Sequence, residues 1–389
     1  MKITYFVSHP IQYFSPLLRE LAKATDLEVC YYSDASLRGQ KDKGFGRTIQ
    51  WDTALLDGYP SVFVKNYGRK GNPDNHFLDV LNPGVVGIVK KRKGSIVMVN
   101  GWAYSSDMLT IFFARMMGRT VWLRAENPLG QELRKNPVSL LLKRIIFRYI
   151  FFRFFIDKCM YIGRESRSFF KYYGVEDDRL IYTPYAVDNV FFSQYYLEWK
   201  DRKPELKEHL RLPAGKKVVL FVGKYTSKKR PMDLLMAFQR LQDPDSMLVM
   251  VGEGELRPNM ESFISREGLE RNIQLTGFIN QSEMPRYYAV ADVMVMCSGM
   301  GETWGLAVNE AMNFATPVIV SNTCGCSSDL VQHGTNGFIF EEGNVDQLAA
   351  FLKELLGDAA FREKAGQRGR EIIQEYSIER IVKNISHAK

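Results

Sequence analysis

Short apolar runs alternate with amphipathic stretches along most of this chain, and they fall into two series. In the first, residues 3–7, 27–32, 96–100, 121–124 and 160–162 are apolar and too short for helices, so they read as strands. The stretches between them carry helical spacing. Ser15-Pro16 supplies a cap residue and a first-turn proline, and Leu17, Leu18 and Leu21 behind it share one stripe. This alternation predicts parallel α/β layering up to about residue 190. A second series, opening with the buried-strand pattern Val218-Val-Leu-Phe-Val222, runs to about residue 357, and an uninterrupted helical tail follows.

Between the series, residues 193–215 turn polar and charged, with Pro204 and Pro213, which places the domain connection there. The expected division is an N-terminal domain over 1–192, a connection over 193–215, a second domain over 216–372 and a terminal helix over 373–389. A chain of 389 residues exceeds one ordinary core, which agrees with two domains. Residues 39–60, rich in Lys, Gly and Asp, read as a long mobile loop near a site mouth.

Composition narrows the partners. The chain is 46% hydrophobic and 25% charged, ordinary for a soluble globular protein. Its 52 Lys and Arg against 44 Asp and Glu give a net charge of +8, which favours nucleotide phosphate, anionic lipid or nucleic acid. No recognised nucleic-acid motif accompanies the charge, so nucleic acid is not expected. Five scattered cysteines do not make a disulfide scaffold and point to a reducing compartment. Cys324-Gly-Cys326 reads as a structural turn or as half of a metal or redox site. The first apolar run is cut by Ser8-His9-Pro10, short of a signal segment, and residues 139–162 carry too many charges to span a bilayer.

The chemistry concentrates in Glu302-Thr-Trp-Gly-Leu-Ala-Val-Asn-Glu310, two carboxylates with seven residues between them. The spacing places Glu302 at a helix entrance and Glu310 about two turns further along the same face, so the pair can bracket one ligand. The bland alternative has Glu302 capping the helix and Glu310 in solvent. Gly305 in the first turn leaves helix amides open to an anion, and the strand of residues 316–320 puts the unit at the edge of a parallel sheet. Earlier, Gly223-Lys224-Tyr-Thr-Ser-Lys228-Lys229-Arg230-Pro231 follows a strand with four cations and a glycine turn, a phosphate-binding pattern.

Residues 181–340 resemble the C-terminal half of the retaining GT-B glycosyltransferases of sequence family 4. The resemblance rests on Pro184-Tyr-Ala-Val-Asp188, Gly223-Lys224 with Lys229, Val251-Gly-Glu-Gly254, Leu275-Thr-Gly-Phe278, Glu302 to Glu310 with Asn309-Glu-Ala-Met312, Pro317-Val-Ile-Val-Ser321 and Asn336-Gly-Phe338, in that order. It implies an α/β chain of two Rossmann-like parallel-sheet domains facing a central cleft, with the terminal helix crossing back to the first. The donor would be a nucleotide-diphosphate sugar, a UDP-sugar before GDP-mannose. Lys224 and Lys229 would hold its diphosphate, Glu302 the sugar hydroxyls, Glu310 the ribose and the Phe278 backbone the base, with Gly223, Gly254, Trp304, Gly305 and Leu306 completing the site. Lys224 departs from the family's usual Arg, which would grip phosphate bidentately. The family's usual glycine-rich loop after the first strand is absent as well. A noncatalytic scaffold and a nucleotide-sugar epimerase share this architecture and stay as alternatives.

No metal and no cofactor are expected, with no Asp-x-Asp motif read as a cation site; Lys224, Lys229 and the helix terminus neutralise the leaving group. The catalytic candidates are Glu302, Lys229 and His9. In the N-terminal half, Ser8-His9-Pro-Ile-Gln12-Tyr13 follows the first strand, and Asn100-Gly-Trp102 and Arg124-Ala-Glu126 also end strands. His9, Gln12, Tyr13, Trp102 and Glu126 are therefore candidates for the glycan acceptor, although His9 could equally hydrogen-bond within its turn and Glu126 could pair with Arg124. Wound as one helix, residues 137–158 gather Lys143, Arg144, Arg148 and Lys158 on a basic side, with Leu141, Ile145, Phe152 and Phe155 filling much of the rest. The expectation is a cytoplasmic protein held at the inner face of a membrane, acting on an acceptor linked to polyprenyl diphosphate. A core-packed helix with its basic side in solvent is the alternative.

Overall fold

The structure is a computed structural model that describes residues 1–38, 41–42, 47–48, 51–68 and 76–388. The chain divides into two compact units, one of residues 1–40, 53–185 and 378–389, the other of residues 41–52 and 186–377.

The first unit is built on a seven-stranded sheet in the spatial order Ser61–Phe63, Asp26–Tyr31, Lys2–Val7, Ile96–Asn100, Val121–Ala125, Lys158–Tyr161, Leu180–Tyr182. All its pairings are parallel, with Tyr5 opposite both Val29 and Met98. Apolar side chains alternate onto the two covered faces, and Phe6, Val97, Val99, Leu123, Cys159 and Phe170 belong to one buried cluster. Pattern failed for Ser61–Phe63 and Leu180–Tyr182 because each has three residues and lies at a sheet edge. The helix Ser15–Ala24 has the expected proline and buried leucines, but Phe14 is its cap residue; Ser15 lies inside, and its Oγ donates to the Leu55 carbonyl at 2.7 Å.

The second unit holds six parallel strands in the order Ile273–Gly277, Ser246–Val251, Lys217–Val222, Val293–Met296, Val318–Ser321, Gly337–Phe340. Val318–Ser321 was expected at the sheet edge. It lies one strand in, because Gly337–Phe340 pairs outside it. Strand order reverses between Lys217–Val222 and Val293–Met296, so the loops leaving their carboxyl ends diverge and open a crevice. Gly223 begins one loop, and residues 297–305 form the other.

Residues 193–215, read as a connection, are largely helical, sharing Asn189–Trp199 and containing Lys203–His209. The tail is interrupted: one helix ends at Ile373 and the next spans Ile378–His387, where Asn384 Nδ2 donates to the Tyr182 carbonyl at 2.8 Å inside the first unit. Within 39–60, residues 39–40, 43–46 and 49–50 lie outside the described residues. From Thr53 the segment is packed, with Leu55 and Tyr59 buried and Tyr59 hydrogen-bonded to Tyr31. The helix expected over 137–158 is α-helical over Pro137–Ile146 and a wider π-helix over Phe147–Phe155, and Lys158 opens a strand. A single wheel of 100° per residue therefore fails beyond Ile146.

Backbone loops around the crevice approach so closely that side chains are excluded. Gly252 has φ +150°, and a Cβ there would lie 1.9 Å from the Gly223 carbonyl oxygen. Gly252→Ala is expected to destabilise the protein by about 2 kcal/mol or more through strain and overpacking. Gly87→Ala, in a helix with nothing within 4 Å, should be neutral or stabilising. Equal denaturation midpoints for the two variants would contradict this account.

Candidate active site

The mouth of the second crevice is knitted from glycine-bearing loops. Gly223 N donates to Val251 O at 3.0 Å, Tyr225 N to Glu253 O at 2.8 Å, and Gly299 N to Lys228 O at 2.8 Å. Gly325 N bonds Glu302 O at 3.2 Å, and a Cβ on Gly325 would lie 1.9 Å from Thr303 O. Gly254 adopts φ +157° against Tyr225, and Gly305 adopts φ +105° with Met296 Sδ and Cys324 Sγ where a Cβ would go. These contacts fix the backbone that carries Lys224, Lys229 and Glu302.

Lys229 and Glu302 form an ion pair. Glu302 is 8% exposed, and burial alone would raise its pKa; Lys229, then Lys228, outweigh burial and hold the carboxyl below its ordinary value. Glu302 is therefore a carboxylate at neutral pH. Lys224 is half-buried at the start of the same loop. Arg230 is turned elsewhere: its backbone is left-handed and its guanidinium bonds Asp233 at 2.6 Å and Glu342 at 3.5 Å.

The helix after Glu302 starts later than the sequence suggested, spanning Leu306–Asn313 with Gly305 as its cap residue. Glu310 is thus little more than one turn inside it. The bland alternative fails at Glu310, which is 2% exposed and accepts a hydrogen bond from Tyr288. Trp304 is also buried, and its Nε1 donates to Asn309 Oδ1 at 2.8 Å, so it braces the loop. The first-turn amides at Leu306 precede the first helical bond, Val308 N to Gly305 O at 2.9 Å.

Tyr288 and Asn309 were not singled out by sequence. Asn309 lay inside a motif already read, whereas Tyr288 reaches Glu310 from the helix Met284–Val290 and left no local signal. Phe278 follows the strand Ile273–Gly277, and Trp51 meets its ring edge-on at 5.9 Å. Beside them Ser282 N donates to Asp52 Oδ2 at 3.2 Å, so Trp51 and Asp52 dock on this loop within the second unit.

The cysteines are all buried thiols. Cys324 donates to the Trp304 carbonyl at 3.0 Å and lies 3.6 Å from Cys326, inside the turn beneath Gly305. Asp243-Pro-Asp245 is an Asp-x-Asp sequence that the reading passed over. It precedes the strand Ser246–Val251, at the end remote from the crevice, with Asp243 3.4 Å from Lys217. Among the described residues no group of three or more His, Cys, Asp or Glu is placed to hold a metal ion.

In the first unit, the candidate acceptor residues leave the carboxyl ends of the strands. His9 Nδ1 is 3.0 Å from Ser8 Oγ, and burial lowers its pKa to about 4. Gln12 and Tyr13 are half-buried just before the first helix. Glu126 pairs with buried Arg124 at 2.6 Å, the local ion pair weighed from sequence. Trp102 is committed to packing, stacked on Phe169 at 5.9 Å and edge-on to Phe147 at 5.6 Å. Against the same cluster, Lys143 turns inward to Glu132 at 2.6 Å, over the rings of Phe147, Phe169 and Tyr173. The basic side expected on that helix is thereby divided.

Two parallel-sheet units of this kind, each with a crevice at a strand-order reversal, define the GT-B glycosyltransferase fold. HepE of Anabaena, solved in complex with UDP, superposes on 99% of this chain and 98% of its own with a TM-score of 0.75 and 18% identity. Residues 202–372 match the model of the glycosyl transferases group 1 family. An uncharacterised glycosyltransferase of Methanocaldococcus jannaschii is 29% identical over 189 residues, 48% of either chain. The N-acetyl-alpha-D-glucosaminyl L-malate synthase of Bacillus anthracis is 26% identical over 180 residues, 46% of either chain. The chain spans about half the length of the curated relatives it matches.

Two outcomes follow from the burial of these groups. Because the folded pKa of His9 is depressed, its stability contribution is complete above about pH 6.5 and is lost as pH falls toward about 4. An imidazole titration by NMR should accordingly show His9 neutral at pH 6; a midpoint near 6.5 would contradict it. Lys229→Ala should cost about 3 kcal/mol by stranding a buried carboxylate, with part of the loss restored by adding Glu302→Gln. Strictly additive losses in urea unfolding would show the pair uncoupled.

Proposed function

We propose that this protein transfers a sugar from a nucleotide-diphosphate donor, a UDP-sugar before GDP-mannose, to a hydroxyl of a glycan acceptor with retention at the anomeric carbon. The observation that carries this reading is the Lys229–Glu302 pair buried among close-packed glycine loops at the second crevice. A carboxylate kept ionised there suits hydrogen bonding to sugar hydroxyls. A lysine shared with it suits an arriving diphosphate.

As the glycosidic bond breaks, negative charge grows on the leaving diphosphate. Lys229, Lys224 and the amides near Gly305 and Leu306 neutralise it, so catalysis is chiefly electrostatic and needs no metal. Glu302 orients the sugar while the acceptor hydroxyl attacks from the face the diphosphate leaves, and the acceptor's proton departs with that diphosphate. Glu310, with one oxygen engaged by Tyr288, holds the ribose. The acceptor is a glycan carried on a lipid diphosphate, and the protein works peripherally at the inner face of a membrane. In support, no helix among the described residues is long and apolar enough to cross a bilayer, and a strongly apolar helix lies on the surface of the first unit.

Screening UDP-, GDP- and ADP-sugars for binding and hydrolysis tests the donor class; failure of all of them to bind would remove it. Lys229→Ala should lower turnover at least about a hundredfold, because a lost charge on a developing phosphate costs several kcal/mol. Glu302→Gln should mainly lower the rate with bound donor, whereas Glu310→Gln should mainly weaken UDP binding. Activity should survive EDTA; complete loss restored by Mn²⁺ or Mg²⁺ would overturn the metal-free mechanism.

A further inference from the structure

The helix Pro137–Ile146 and its continuation Phe147–Phe155 are apolar on two opposite faces. The inward face is accounted for: Leu140, Phe151 and Phe152 are buried, and Phe147 packs among Trp102, Phe152 and Tyr173. The outward face is Val138, Leu141, Leu142, Ile145, Ile146, Tyr149, Ile150 and Phe154. All eight are 48% to 67% exposed. Val138, Leu141, Leu142, Ile145 and Ile146 recur at three and four residues along the α-helix as one ridge, and exposed Tyr149, Ile150 and Phe154 extend the apolar surface along the π-helix. Leu133, half exposed, precedes it. Such a ridge presents on the order of several hundred Å² of apolar surface, more than a soluble monomer ordinarily leaves in water.

Charge identifies what covers it. From residue 133 to residue 156 the chain has Arg134, Lys135, Lys143, Arg144, Arg148 and Arg153 and no carboxylate at all. Arg144 lies over the ring of Tyr172, Arg148 over Tyr149 and Arg153 over Phe154, all three exposed, so guanidinium groups flank the ridge. A bulky apolar ridge bordered by arginines matches the boundary between acyl chains and anionic headgroups. A protein partner would call for no such one-sided charge.

We propose that this ridge seats on an anionic lipid bilayer, with the eight apolar side chains entering the acyl boundary and Arg144, Arg148 and Arg153 contacting headgroup phosphates. The inference deepens the peripheral-membrane part of the reading above and rests on it; it keeps Leu141, Ile145, Arg144 and Arg148 of the surface expected by sequence and leaves out Phe152, Phe155 and Lys158. Lys143 takes no part, being held inside by Glu132. Apolar insertion carries the attachment and basic charge selects the lipid.

The test is flotation of the full chain with vesicles of phosphatidylcholine containing phosphatidylglycerol, and with phosphatidylcholine alone. Wild type should float with the anionic vesicles and at least tenfold less with neutral ones. Leu142→Glu/Ile146→Glu/Ile150→Glu, outward changes only, should abolish flotation while UDP binding is kept. Val190→Glu/Leu197→Glu, equally exposed in the second unit, should float as wild type does. If the triple variant loses its fold, Ile145→Trp gives a second readout: its emission should shift to the blue and be quenched by brominated acyl chains. Wild type remaining unbound at low salt, equal flotation of the triple variant, or a concentration-dependent dimer lost in that variant without any lipid binding would each overturn the proposal. UDP binding is measured separately, so failure here leaves the donor reading standing, and loss of UDP binding in wild type would leave the lipid result interpretable.

Discussion

The candidate site depends on one arrangement, a carboxylate and an ammonium withdrawn together from water at Lys229 and Glu302. Burial works against the charge on Glu302, and Lys229, helped by Lys228, keeps the carboxyl ionised. A pair of this kind is held at some cost in desolvation. The glycines at 252, 254, 305 and 325 serve that pair, since each leaves room where a Cβ would collide with a neighbouring loop or strand.

Around this pair the second unit shows how positioning is layered. Trp304 is bonded to Asn309, Asn313 Nδ2 donates to Asn309 O at 3.0 Å and to Asn189 Oδ1 at 2.9 Å, and Asn189 Nδ2 reaches the carbonyls of Ile373 and Tyr376. These buried amides tie the loop carrying Glu302 to the start and the end of the unit. Each is satisfied by its neighbour, which makes the loop geometry all-or-none.

Much of this was legible because the second unit is written in short local patterns. The strand before Gly223, the cations after it and the carboxylate spacing each depend on a few adjacent residues, and the structure places Lys224, Lys229 and Glu302 around one crevice. What was misread depended on distance or on helix type. Tyr288 went unnoticed because it is 22 positions away from its partner Glu310. Lys143 looked like a surface cation because the wheel could not show Glu132 beneath it, and Lys158 was lost when the helix widened and ended. Trp102, half-buried at a strand end, packs on aromatic neighbours from two later helices, which no local pattern could show.

The most direct test of the central claim is calorimetric titration of UDP against wild type and Lys229→Ala at pH 7.5, with near-UV circular dichroism confirming that both are folded. The account predicts that the substitution weakens UDP at least about tenfold, the loss expected when a charge-assisted phosphate contact is removed. Unchanged affinity in a folded variant would contradict it, and the Lys229–Glu302 pair would then be a structural ion pair only.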